Sequence, residues 1–191
     1  MGTYILIAIL VLTVLFIFSL YNRLIRRRNE VQNIFGSIDA MLKKRFDLIP
    51  NLIETVGTYM EHERTVLTEI TEMRTKALSP GTNMEEKIDI QNKLNKSMGD
   101  ILIAVEAYPD LKANQNFIQL QGSWNEVEEQ ISAARRAYNA AVTDYNNSVE
   151  TIPTNIVAGI LGFKRMPVLE TPEHERQNIS AKELFNSFRS K

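Results

Sequence analysis

The residues best equipped for chemistry lie at 61–63, where Glu61, His62 and Glu63 begin like the helix of a zinc protease. That chemistry needs a second imidazole four positions after the first, so that both reach one metal from a single helix face. Val66 stands there instead. The whole sequence holds 2 His and no Cys. Thiolate metal sites, disulfides and cysteine catalysis are therefore out, and there are too few imidazoles for an ordinary catalytic metal centre. Di-iron carboxylate bundles need Glu-x-x-His on two helices, and only adjacent Glu-His pairs occur, at 61–62 and 173–174. No GxxxxGK[ST], GxGxxG or GxSxG is present, so phosphate cradles and nucleophile elbows find no support. Glu126, Glu128 and Glu129, beside Trp124 and Val127, read as a solvated helix face. The expectation is a protein that is not an enzyme, with no cofactor, no metal and no small-molecule substrate. Its 22 Lys+Arg balance 23 Asp+Glu at a net charge of -1, which leaves no global basic field for nucleic acid.

The elements that position these residues start with an anchor. A chain of 191 residues supports one main folded domain. Met1 to Asn22 carry no charged side chain, and Tyr4 to Leu20 is nearly all aliphatic or aromatic. About twenty such residues in a helix span roughly 30 Å, the thickness of the hydrocarbon core. A cleaved signal would need a basic start and a small-x-small cleavage site, and neither is present, so 1–22 reads as a retained transmembrane helix. Arg23, Arg26, Arg27 and Arg28 flank it on one side only. Positive flanks remain in the cytoplasm, placing the N-terminus outside and the rest inside a cell (inner) membrane. The same arginines are expected to set topology and to meet lipid headgroups.

Beyond the anchor the pattern is helical throughout. Phe117, Leu120, Trp124, Val127, Ile131, Ala134, Tyr138, Ala141 and Tyr145 step by three and four residues, a seam for near-antiparallel helix packing. Ile88, Gln91, Leu94, Met98, Ile101, Val105 and Tyr108 form a second stripe, with Asn83 and Glu86 as its capping box. Pro50 is harder to place, because the apolar phase from Ile34 to Met73 runs straight across it. It marks either a kink in one helix or a corner at which Asn51 caps a new one. Arg45 and Asp47 would then cap or pair at that corner. The favoured architecture is all-α, with the transmembrane helix followed by an antiparallel four-helix, up-and-down bundle over 23–150. Its helices are expected at about 24–48, 51–78, 84–107 and 115–150.

A short apolar segment, 151–169, follows, and then a tail, 170–191, in which Ser180 and Glu183 suggest a short helix. Ile156, Val157, Ile160, Leu161 and Phe163 form a run too short to span but suited to the membrane interface. The alternative is a plug across the bundle end. A corner at Pro50 returns this run to the bilayer; a mere kink would leave it at the far end. At the distal turn, Tyr108, Pro109, Asp110 and Lys112 either close the helices or dock a partner.

Four blocks together carry a family resemblance: YNRLIRRRNEV (21–31), IDAMLKKRFDLIPNLIETVGTYMEHE (38–63), AVEAYPDLKANQNFIQLQ (104–121) and ARRAYNAAVTDYNNSVETIPTNIVAGILGFK (134–164). Their order and content resemble the LemA family of bacterial membrane proteins, with departures at Gly57 and Ile152. The resemblance implies one N-terminal membrane helix and a cytoplasmic helical bundle, and it implies no shared reaction. Members are linked to magnetosome membranes and to neighbourhoods of a membrane metalloprotease. The functional expectation is a membrane-anchored scaffold, a homo-oligomer that organises or shapes the bilayer it contacts. The competing expectation is an adaptor for another membrane protein, such as a membrane protease.

Overall fold

The computed structural model describes residues 1–60 and 63–169. Within them the chain forms α1 (Gly2–Gly57), α2 (Arg64–Ala77), α3 (Met84–Val105), α4 (Pro109–Lys112), α5 (Gln115–Glu150) and α6 (Thr154–Leu161), with no strand. Residues 61–62, including His62, and the tail 170–191 with its expected helix lie outside the described part.

α1 is one helix from its apolar start to Gly57. Its first part is long and apolar enough to cross a membrane, and every residue from Met1 to Ser19 is exposed. Protein first covers the helix at Leu20. From there Leu24, Val31, Ile38, Leu42, Phe46, Ile49, Leu52 and Val56 are buried, a seam of period near 3.5 that asks for a partner lying almost along the helix.

That partner is α5. Arg27 meets Asp144 at 3.1 Å, the rings of Phe35 and Tyr138 lie 5.9 Å apart, and Lys44 meets Gln130 at 3.5 Å. At the far end Asn114, the cap of α5, donates to the Tyr59 hydroxyl at 3.2 Å. Rising numbers on α1 face falling numbers on α5, so the two are antiparallel over their shared length. α2 and α3 cover the distal half of this pair: Lys87 of α3 reaches Asp39 at 2.7 Å and Gly57 lies against Leu67 of α2. The Asn83–Glu86 capping box forms at the start of α3, as the spacing predicts.

Neither the expected corner at Pro50 nor the boundaries 24–48 and 51–78 are found. Asn51 caps nothing; it sits exposed within α1, and the break falls between Gly57 and Arg64. The reason is local. Pro50 has no N–H, so the carbonyl of Phe46, four residues earlier, loses its helical donor. Arg74 of α2 replaces it, donating from Nε to the Phe46 oxygen at 3.0 Å. The proline becomes the place where α2 docks rather than the place where α1 ends.

Two charged residues also sit where sequence reasoning did not put them. Arg45 is fully buried, ion-paired with Glu128, hydrogen-bonded to Asn95 and 4.2 Å from the Trp124 ring centre. Glu128 is only partly solvated: it also accepts from Gln91 at 3.0 Å and from Asn95 at 2.9 Å. Arg135 is buried as well and reaches Asn92 of α3 at 3.4 Å. Burial, and then the charge of Arg135, pull the pKa of Arg45 down to about 9. It therefore stays charged at neutral pH and needs its carboxylate.

Two stability measurements follow. Arg74→Met is expected to cost about 1–3 kcal/mol, the penalty for leaving a buried carbonyl unpaired. The cost should be clearly less in a Pro50→Ala background, where the introduced alanine supplies the missing N–H. Equal costs in both backgrounds by denaturant titration would reject the pairing. Glu128→Ala is expected to cost about 3–5 kcal/mol, because Arg45 is left buried and uncompensated, whereas the same change at exposed Glu129 should cost less than about 0.5 kcal/mol.

Candidate membrane-facing site

The two long helices bring the end of α5 back to where α1 leaves its apolar stretch. Thr151 turns the chain, Pro153 precedes the first residue of α6, and Gly162 ends that helix in the left-handed conformation (φ 74°). A side chain would strain that geometry. Thr154, Val157 and Ala158 face inward, where Val157 and Ala158 pack with Leu20 and Leu24 in a small core separate from the main one. Phe163 joins this core and meets the Tyr21 ring edge-on at 6.4 Å.

The opposite face of α6 is apolar and bare. Ile156 and Ile160, one turn apart on α6, are 61% and 79% exposed, Ile152 in the turn before the helix is 81% exposed, and Leu161 lies beside them. Of the five residues expected at the lipid interface, Ile156, Ile160 and Leu161 therefore point outward. Val157 and Phe163 do not, because the helical phase turns Val157 onto Leu20 and Leu24, and the chain reversal at Gly162 folds Phe163 back toward Tyr21. The expectation that an uninterrupted helix at Pro50 leaves this segment at the far end also fails. α2 runs partway back, α3 runs partway out, and α5 then returns the full distance.

The arginine cluster divides. Arg27 pairs with Glu30 and Asp144, both at 3.1 Å, while Arg23, Arg26 and Arg28 are exposed and form no ion pair among the described residues. The distal turn is a separate place, on the order of 50 Å away along α5. There the Tyr108 hydroxyl donates to Glu63 at 3.1 Å, and burial, then that bond, raise its pKa. Pro109 opens α4, buried Leu111 pins the turn, exposed Asp110 lies in its first turn, and Lys112 pairs with Glu106 at 2.6 Å. Among the described residues no group of three or more His, Cys, Asp or Glu is placed to hold a metal.

Over residues 34–182 the sequence matches the model of the LemA family. The chain belongs to the LemA family. Relatives include Protein LemA of Metamycoplasma hominis, 28% identical over 86% of this chain and 75% of the relative. Magnetosome protein MamQ 2 of Paramagnetospirillum magneticum is 26% identical over 86% of this chain and 70% of its own length. Magnetosome protein MamQ of Magnetospirillum gryphiswaldense is 22% identical over 76% and 63%. The LemA match begins after the arginine cluster and takes in both the distal turn and α6.

This LemA-family chain also contains a feature that its sequence did not announce. After Gly162 the backbone runs back along α5 as an extended strap to Leu169. Asn146 holds it by accepting from the Met166 N–H and donating to the Met166 carbonyl, both at 2.9 Å. Asn139 does the same for Leu169, both at 2.8 Å. Tyr145 donates to the Lys164 carbonyl at 2.9 Å. Seven helical residues rise about 10 Å, which three extended residues also cover, so the two asparagines grip the strap in register. Phe163, Met166 and Leu169 turn inward and pack on the main core. The available signal was the pairing of two asparagines one heptad apart with three apolar residues spaced by three.

Lys164 and Arg165 on this strap are exposed. Asn139→Ala with Asn146→Ala is expected to speed tryptic cleavage after them at least about tenfold, since each lost amide pair is worth about 1–3 kcal/mol. Site-resolved mass spectrometry reads the rate. An unchanged rate would assign the strap's hold to apolar packing alone.

Proposed function

We propose that this protein is a non-enzymatic, membrane-anchored helical scaffold that self-assembles and organises or shapes the bilayer. In this reading α1 crosses a bacterial inner membrane with its N-terminus outside. The helices beyond the anchor stand in the cytoplasm as one up-and-down bundle, and α6 rests on the membrane surface beside the anchor. The observation that carries it is the bare stripe of Ile152, Ile156 and Ile160 beside Leu20, at the point where the apolar stretch of α1 ends. An apolar stripe on a short surface helix at that height lowers its free energy by entering the headgroup boundary. Arg23, Arg26 and Arg28 stand at the same level, suited to cytoplasmic retention, and Arg23 and Arg26 are suited to anionic headgroups as well. The kinship with magnetosome proteins agrees with a task at a membrane. Ile103 and Ile118, 74% and 47% exposed, give the distal half apolar surface for contact between copies.

The absence of Cys makes one test clean. A nitroxide on Ile160→Cys, in the full chain in bilayers, is expected to be reached by oxygen more readily than by a water-soluble nickel chelate. The reverse order would remove α6 from the lipid. For the assembly, light scattering in mild detergent should return one discrete mass of several subunits; a clean monomer would favour an adaptor for another membrane protein.

A further inference from the structure

On α1, at the height where it leaves its apolar stretch, lies a shallow groove of about 640 Å³ lined by Leu15, Phe18, Ser19, Asn22, Arg23 and Arg26, with Arg27 and Glu30 at its upper end. Phe18 and Asn22 stand two residues either side of Leu20, roughly 200° around the helix from it. The groove therefore faces away from α6, and among the described residues no other helix contributes to it.

Its chemistry is ordered along the axis. Leu15 and Phe18 offer apolar surface, Ser19 and Asn22 offer neutral hydrogen-bonding groups one turn higher, and Arg23 and Arg26 present two guanidiniums above those. Arg27 is shared by Glu30 and Asp144, one cation between two carboxylates, so the two positive charges open to a ligand are those of Arg23 and Arg26, and the five groups together net +1. Arg28 is turned elsewhere, near enough to Tyr145 to influence its hydroxyl. Apolar, then neutral polar, then doubly cationic is the order of an acyl chain, a glycerol ester and a phosphodiester.

We propose that this groove holds one anionic phospholipid with a single net negative charge. Its phosphodiester lies on Arg23 and Arg26, its glycerol ester beside Ser19 and Asn22, and its acyl chain along Phe18 and Leu15. Planar guanidiniums suit this task because each can give two parallel hydrogen bonds to phosphate oxygens. The proposal rests on the reading of α1 as a membrane span.

The full chain is reconstituted in vesicles of equal parts phosphatidylglycerol and phosphatidylcholine with matched acyl chains, and the lipids retained on it are counted by native mass spectrometry. The ratio of retained phosphatidylglycerol to phosphatidylcholine is expected to exceed the bulk ratio of one by about fivefold per arginine, roughly 25-fold for the two. Arg23→Gln with Arg26→Gln should return the ratio to bulk, while Arg28→Gln, which removes the same kind of charge outside the groove, should leave it raised. All of these side chains are exposed, and unchanged thermal unfolding of each variant checks that the fold survives. A wild-type ratio at bulk overturns the proposal, and so does an equal loss in Arg28→Gln, which would mean a general charge effect. Flotation after an alkaline wash separates the two failures. A chain that washes off the vesicles defeats the span and the lipid site together, whereas a chain that stays inserted without enrichment defeats the lipid site only.

Discussion

The carbonyl of Phe46 has no helical donor, because the residue four positions on is Pro50, and the Nε of Arg74 takes the place of the missing N–H. Much of the architecture hangs on that substitution. It lets α1 continue past a residue that ordinarily bends or ends a helix, and so carries the seam from Leu24 to Val56 on a single rod. A rod of that length can be kept dry only by a partner of matching length. α5, with 36 residues, is that partner. Its return then dictates where α6 comes to rest, beside Leu20 and Leu24 rather than at the distal end.

Two helices alone would leave much of that seam wet. The chain covers it differently in its two halves. Distally, α2 and α3 supply apolar residues, and α3 adds Gln91 and Asn95 around the Arg45–Glu128 pair. A buried ion pair of this kind contributes little net stability against a hydrophobic equivalent, but breaking it is costly. It therefore penalises any sliding of α5 along α1 that would part the two charges. Toward the membrane the described residues include no third long helix. The strap over 163–169 takes that role, fastened through backbone groups by Asn139 and Asn146.

Much of this was legible in the residues. The apolar anchor, the seam of α5 and the capping box at Asn83 follow from composition and spacing. The misreadings share one cause: they turn on partners distant in sequence. Nothing near Pro50 shows that Arg74 will satisfy Phe46. Arg45 reads as a cap or pairing group at the Pro50 corner until α3 and Trp124 close over it, and Glu128 looks solvated until Gln91 and Asn95 point at it. The inward turn of Val157 depended on knowing that Leu20 and Leu24 would be its neighbours. Local periodicity reports which face is apolar, and only the fold reports what that face meets.

The continuity of α1 has a mechanical meaning as well. No loop separates its apolar stretch from its far end, so the two cannot tilt independently. From Leu20 to Gly57 the helix runs roughly 55 Å. A change of about 10° in the slant of the apolar stretch, of the kind that a thicker or thinner bilayer imposes, would sweep the far end sideways by roughly 10 Å. With its short arm in the lipid, as proposed above, the rod would act as a lever, turning small differences in bilayer thickness into displacements about as wide as a helix at its other end.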